Sequence, residues 1–141
     1  MLTRKGADIW SVRPVDIVLK ALNLLAEKDI GALLVMEDDK LRGIVSERDF
    51  VRSIAETERC LVDAAVSKYM TKVVITVTPE QSIEDCMNIM TDHHIRHLPV
   101  IEKEKVIGVI SIGDVAKADI NEKRSRINTL ENYIEGRGFG Q

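Results

Sequence analysis

Short apolar runs separated by charged residues dominate the second half of the chain. Leu98–Ile101 and Val106–Ser111 are rich in valine and isoleucine and have the length of largely buried strands. The charged residues between them, Glu102–Lys105, suit a hairpin turn in water. A helical pattern opens immediately afterwards, near Asp114. This order predicts two paired strands followed by a helix.

The first half of the chain has the same pattern. A shift of 65 residues aligns 14–50 with 79–115 without a gap and gives ten identities. A short strand precedes a helix in each half, and the two strands are predicted at Ile9–Val12 and Val73–Val77. The helix of the first half ends near Asp29. Both helices have one apolar face, formed by Val18, Ala21, Leu22 and Leu25 in one copy and by Ile83, Cys86, Met87 and Met90 in the other. Two β-α-β-β-α units can close one core, whereas a repeat array needs at least three.

The repeat sets the expected domain boundaries. They are 8–56 for the first repeat, 57–70 for a linker, 71–120 for the second repeat and 121–135 for a helical extension. Asp63 could cap a short helix over Ala64–Met70, whereas Met1–Asp8 is polar and basic and Gly136–Gln141 is a frayed end. Apolar residues with heptad spacing lie along the extension, namely Ile120, Ile127, Leu130 and Ile134. The extension either packs on its own domain or contributes to a dimer.

A serine and an aspartate stand at the junction between the last strand and the last helix of each copy. They are Ser46 and Asp49 in the first copy and Ser111 and Asp114 in the second. The first turn of a helix has unpaired N–H groups and a positive dipole end, so such a junction can hold a phosphate or a sugar. The same residues can also simply cap their own helix. Ser82 and Asp85 resemble a capping box of this kind at the start of another helix.

Composition excludes several classes of function. The chain has 45% apolar and 30% charged residues, which is ordinary for a soluble globular protein, and its net charge of −3 argues against general nucleic-acid binding. Cys60 and Cys86 have neither the number nor the spacing of a disulfide framework or a zinc site. No apolar run is long enough to span a membrane and no signal peptide opens the chain. We therefore expect a soluble cytoplasmic protein with reduced thiols.

Catalytic and metal-binding patterns are absent from the sequence. His93, His94 and His97 lie close together, but only His93 and His97 share a helical face, and Asp92 alone could add a ligand. No Ser-His-Asp order, nucleophile elbow, phosphate-binding loop or dinucleotide fingerprint occurs. We therefore expect neither a bound metal nor an enzyme.

The repeat resembles a tandem pair of CBS domains, also called a Bateman module. The resemblance covers about residues 5–120 and rests on GIVSERD at 43–49, GVISIGD at 108–114, HLPV at 97–100 and MT at 70–71. It implies an α+β fold in which two β-α-β-β-α repeats pack sheet to sheet with pseudo-twofold symmetry. The chain is similar to small stand-alone CBS pairs, here with a C-terminal helical extension.

The resemblance also implies a regulatory module, such as an energy sensor, with clefts for adenosine-containing ligands: AMP, ADP, ATP, NAD(H) or S-adenosylmethionine. It assigns Asp49 and Asp114 to the ribose hydroxyls, Ser46 and Ser111 to ribose or phosphate, Arg48, Arg96 and His97 to phosphate, and Val12–Arg13 and Val77–Thr78 to adenine. Carboxylates accept from a cis-diol, and arginine donates to phosphate. Gly31–Ala32 replaces Arg96–His97 in the first copy and Gly113 replaces Arg48 in the second, so the two clefts should differ.

Other functions remain open at this point. A structural pairing module with degenerate clefts would keep the apolar repeat but need not keep both serines and both aspartates. An enzyme or a nucleic-acid binder is disfavoured by the acidic charge and the missing catalytic residues. A lone CBS pair leaves helical faces exposed, so we expect a homodimer, and a regulated protein partner stays unidentified.

Overall fold

The computed structural model of the protein describes residues 9–59 and 62–133, and it has an α+β fold. Its elements are β1 (Ser11–Val12), α1 (Val18–Lys28), β2 (Ala32–Glu37), β3 (Lys40–Ser46), α2 (Glu47–Thr57), a 3₁₀ turn (Val66–Lys68), α3 (Ile83–His93), β4 (His97–Glu102), β5 (Lys105–Ser111) and α4 (Ile112–Tyr133). The described residues form two compact units. The first extends to Thr78 and includes Pro99–Val109, and the second contains Pro79–Leu98 and the residues from Ile110 onward.

Some of the expectations concern residues that lie outside this description. They are the basic segment Met1–Asp8, Cys60, Ile134 and the end Gly136–Gln141. Leu130 lies in the part of α4 of which only the backbone is described.

A three-stranded sheet with the order β1-β2-β3 organises the first unit. β1 is parallel to β2, and β2 is antiparallel to β3 through a turn at Asp38–Asp39, whose φ angles of 51° and 62° are typical of a tight hairpin. The predicted apolar face of α1 is confirmed, because Val18, Ala21 and Leu25 are buried in one core with residues of β2, β3 and α2. Leu34 on the opposite face of β2 is also fully buried, so both faces of the strand are covered.

The N-terminus of α1 is capped by the backbone of a distant segment, residues 62–71, which we call the strap. The N-cap residue Ile17 makes no side-chain hydrogen bond. Instead, the N–H groups of Val18 and Leu19 donate to the carbonyls of Ala64 and Val62, at 2.8 and 2.9 Å. Those carbonyls satisfy helix donors that a serine or aspartate would otherwise satisfy. The strap is therefore part of the first unit.

The short helix predicted over Ala64–Met70 is reduced to three residues, Val66–Lys68, and its predicted cap at Asp63 is wrong. The structure has only the 3₁₀ turn, whose N-cap is Ala65 and carries no side-chain hydrogen bond. The N–H of Val66 donates to the carbonyl of Asp16 at 2.8 Å. The carbonyl of Ala64 accepts from Val18, and the N–H of Lys68 donates to the carbonyl of Ala65 instead. The segment therefore makes a 3₁₀ turn at this point and not an α-helix that begins at Ala64.

The strap also contacts β3 at a glycine. Ile44 and Thr71 exchange both backbone hydrogen bonds, at 3.0 and 2.8 Å. A Cβ atom on Gly43 would lie 2.8 Å from the carbonyl oxygen of Thr71 and 2.8 Å from Sδ of Met70. The strap can approach β3 this closely because Gly43 has no side chain.

The predicted strand Val73–Val77 is reduced to a single parallel bridge between Val77 and Val100, and Val73 is 85% exposed. In the first repeat the N–H of Leu34 donates to the carbonyl of Trp10. The matched residue in the second repeat is Pro99, which has no N–H to donate. A proline therefore removes the hydrogen bond that would have extended the pairing.

In the second unit, α3 begins with the predicted capping box, which is confirmed. The N–H of Asp85 donates to Ser82 Oγ at 3.0 Å, and the N–H of Ser82 donates to Asp85 Oδ2 at 3.3 Å. Ile83, Cys86 and Met90 of the predicted apolar face are buried. Met87 is exposed, so its assignment to that face is wrong. The buried face of α3 is narrower than the predicted one. Met87 follows Cys86 directly, and its side chain therefore lies about 100° further around the helix.

The last helix, α4, packs against α3 through its first turns and continues beyond them. Val115 is buried, whereas residues 121–127 are all exposed. Within the described part of the chain, no helix is both long and apolar enough to cross a membrane.

Candidate functional site

Two corners of matched geometry stand where β3 meets α2 and where β5 meets α4. In the first corner the N–H and the hydroxyl of Ser46 donate to Asp49 Oδ2, at 2.7 and 3.1 Å, and the N–H of Asp49 donates back to Ser46 Oγ. In the second corner the N–H of Ser111 donates to Asp114 Oδ2 at 2.9 Å, and the N–H of Asp114 donates to Ser111 Oγ at 3.1 Å. Both pairs therefore cap their own helices.

Capping uses only one oxygen of each carboxylate. Within the described residues, Oδ1 of Asp49 and Oδ1 of Asp114 accept no hydrogen bond. Asp49 is half-buried and Asp114 is exposed. Each corner thus presents a fixed carboxylate oxygen that can accept from a hydroxyl group of a ligand.

One backbone hydrogen bond in each corner connects the helix start to the loop before the preceding strand. The N–H of Glu47 donates to the carbonyl of Gly31 at 3.0 Å, and the N–H of Ile112 donates to the carbonyl of Arg96 at 2.8 Å. The second corner therefore combines Arg96 with Ser111 and Asp114. In the first corner, Arg48 is exposed in the first turn of α2 beside Asp49.

The other residues predicted to contact the ligand differ from one another in their exposure. His97 is the half-buried first residue of β4, next to Arg96, and Thr78 is exposed. Val12 and Val77 are buried, so their side chains belong to the protein interior. The N–H and the carbonyl of Val77 are already hydrogen-bonded, at 3.0 and 2.8 Å.

Arg13 is held by a carboxylate that sequence reasoning missed. Its N–H donates to Asp16 Oδ2 at 2.8 Å, and its guanidinium lies 3.2 Å from Asp16 Oδ1. Asp16 is buried and also accepts from Lys20 Nζ at 3.1 Å. Burial raises the pKa of Asp16, whereas the hydrogen bonds from Arg13 and Lys20 lower it. The lowering is the larger effect, so the pKa lies below its ordinary value. The only signal in the sequence is an aspartate three residues after Arg13, before a helix that lacks a capping residue.

No group of three or more His, Cys, Asp or Glu side chains among the described residues could hold a metal ion. His93 is the last residue of α3, and His94 is its left-handed C-cap. Cys86 is a buried free thiol whose pKa is raised by burial.

Comparison with known proteins identifies the family. The sequence model of the CBS domain matches residues 3–56 and 66–121, so the chain belongs to the CBS domain family and contains two such domains. The chain is 38% identical over 136 residues to the mitochondrial CBS domain-containing protein CBSX3 of Arabidopsis thaliana, and the match covers 93% of this chain and 66% of that protein.

Solved structures give the same result. A protein with CBS domains from Burkholderia ambifaria MC40-6 is 46% identical, with a TM-score of 0.79 over 82% of this chain and 85% of that one. The structure of CBSX2 in complex with AMP is 26% identical, with a TM-score of 0.69 over 81% of this chain and 90% of that one. The α+β fold predicted from the repeat is therefore confirmed, and at least one relative binds an adenine nucleotide.

Proposed function

We propose that this protein is a regulatory, non-catalytic module that binds an adenosine-containing ligand, such as AMP, ADP, ATP, NAD(H) or S-adenosylmethionine, at its two corners. One observation supports the proposal most strongly. In both repeats the corner aspartate caps its helix through Oδ2 and leaves Oδ1 without a hydrogen bond in the described structure. The AMP complex of the relative CBSX2 supports the choice of ligand class.

The chemistry of the second corner suits a phosphorylated ligand. Oδ1 of Asp114 can accept from a ribose hydroxyl, while Ser111 is within reach of the same sugar or its phosphate. Arg96 is exposed and joined to the corner by its own carbonyl. A guanidinium donates a planar pair of hydrogen bonds to phosphate oxygens. His97, which follows Arg96, is our second candidate for a phosphate contact.

Changing Arg96 to alanine should weaken AMP binding and spare adenosine. The guanidinium is solvent-exposed, so we expect a loss of about 1–2 kcal/mol, or about five- to thirtyfold in affinity for AMP. Calorimetric titration of the wild type and of R96A with AMP and with adenosine measures both effects. R59A is the matched control, because Arg59 is also exposed, lies just after the C-terminal end of α2, away from both corners, and changes the net charge equally. Equal losses of AMP and adenosine binding in R96A would contradict the phosphate role.

We also propose that the protein is a homodimer to which α4 contributes. Ile120 and Ile127 lie seven residues apart on one face of α4 and are 48% and 53% exposed. The part of α4 after Asp119 extends only to Tyr133. An unpacked helix of about 12–15 residues is marginal in water, and a second copy would bury its apolar face. Light scattering at micromolar concentration should give twice the chain mass of 15.8 kDa, and truncation after Asp119 should weaken the association. A monomer at that concentration would rule the proposal out.

The alternative function is a structural pairing module without a ligand. The specific observation in its favour is that both Ser–Asp pairs already have a role as helix caps. Thermal unfolding with AMP, ATP, NADH and S-adenosylmethionine separates the two functions. A ligand that binds only the folded state adds about 2.7 kcal/mol at a hundred times its dissociation constant. No shift with any of the four would favour the pairing module.

A further inference from the structure

The matched residues around the two corners differ in charge although their backbones agree. Asp29 and His94 both cap the preceding helix in the left-handed conformation, with φ of 53° and 55°. The hydrogen bonds from the helix start to the loop are also equivalent. Three matched positions are more negative in the first repeat: Asp29 against His94, Gly31 against Arg96, and Glu47 against Ile112.

Three cations of the first repeat are already engaged and do not cancel this difference. Arg13 and Lys20 both lie against buried Asp16, at 3.2 and 3.1 Å. Lys28, the neighbour of Asp29, lies 4.3 Å from the centre of the Trp10 ring and 3.5 Å from a Glu27 oxygen. Arg48 is adjacent to Glu47 and can offset one carboxylate. Counted over these matched positions and the corner aspartate, the first repeat therefore has three carboxylates, those of Asp29, Glu47 and Asp49, against the one guanidinium of Arg48.

The second corner has a different balance. Asp114 is its one carboxylate, and Arg96 is a matching guanidinium. His94 and His97 add two imidazoles and no negative charge. A ligand phosphate would meet net repulsion in the first corner and none in the second.

We infer, on the basis of the proposed function, that the two corners select different classes of adenosyl ligand. The first corner takes a neutral or cationic adenosyl compound without phosphate, and the second takes a phosphorylated nucleotide. Asp29 and Glu47 are the residues that determine this specificity. Asp29 and Glu47 are exposed to solvent, so their two charges together should change the relative affinity only modestly, by about three- to tenfold.

The amide signals of Asp49 and Asp114 can report each corner separately in the intact chain, because both N–H groups lie within the capping boxes. We would titrate the ¹⁵N-labelled protein with adenosine and with AMP at low ionic strength. Adenosine should shift both signals. AMP should bind at Asp49 about three- to tenfold more weakly than adenosine, and at Asp114 at least as tightly as adenosine.

A reciprocal exchange at matched positions tests the cause. E47Q should strengthen AMP binding at the Asp49 signal, and I112E should weaken it at the Asp114 signal, while adenosine changes little in either variant. Equal ratios of AMP to adenosine affinity at the two corners would overturn the inference and leave the proposed function standing. Binding at Asp114 alone would also overturn it. Absence of both ligands from both corners would contradict the proposed function itself.

Discussion

Replacing Asp49 or Asp114 with alanine should lower the affinity of the altered corner for AMP and for adenosine about ten- to a hundredfold. Each change removes a charged acceptor for the ribose hydroxyls, and hydrogen bonds to a charged group contribute about 1.5–3 kcal/mol. Calorimetry with both ligands on D49A, D114A and the double variant measures the loss. The double variant should show the loss at both corners.

The loss of a helix cap has to be separated from the loss of a ligand contact. Both aspartates accept a hydrogen bond from a capping serine, so each alanine variant should also lose about 0.5–2 kcal/mol of stability. Asp85 forms the same capping box with Ser82 at the start of α3, away from any strand-to-helix corner. D85A should therefore lose similar stability and bind both ligands like the wild type. If D49A and D114A also bind like the wild type, the assignment of the two aspartates is wrong.

The second large effect concerns Gly43, where the strap meets β3. A methyl group there would lie 2.8 Å from the Thr71 carbonyl oxygen, so G43A should displace the strap and lower the free energy of unfolding by about 1–3 kcal/mol. Chemical denaturation of the wild type and of G43A measures this difference. Hydrogen exchange should also accelerate at the amides of Ile44 and Thr71, which exchange hydrogen bonds across the contact.

Gly113 provides the matched control for a glycine-to-alanine change. Its added Cβ would have its nearest contact at 3.6 Å, with Ser111 Oγ, which is an ordinary van der Waals distance. Alanine is also favoured over glycine in a helix by up to about 1 kcal/mol. We expect G113A to be neutral or stabilising. Equal stability of G43A and the wild type would show that the strap tolerates a side chain at this position.

The sequence by itself determined the repeat, the paired strands and the corner residues. These features are local: strands and helices have their own apolar periods, and a serine three residues before an aspartate is a local signal for the start of a helix. The helix start at Ser82 could be predicted for the same reason. The buried faces of α1 and α3 followed from their periodicity, except at Met87, which lies at the margin of the apolar face.

Only the tertiary structure decided where unpaired backbone groups find their partners. The carbonyls of the strap accept from the N-terminus of α1 because the side chain of Ile17 cannot, and the helix predicted over Ala64–Met70 is shortened to the 3₁₀ turn Val66–Lys68. Pro99 prevents extension of the strand predicted at Val73–Val77, although that strand lies more than twenty residues earlier in the chain. The buried carboxylate of Asp16 holds Arg13 and Lys20, and this contact too depends on the fold. Backbone donors and acceptors are alike at nearly every residue, so their long-range pairing depends on which segments the fold brings together and leaves no pattern in the sequence.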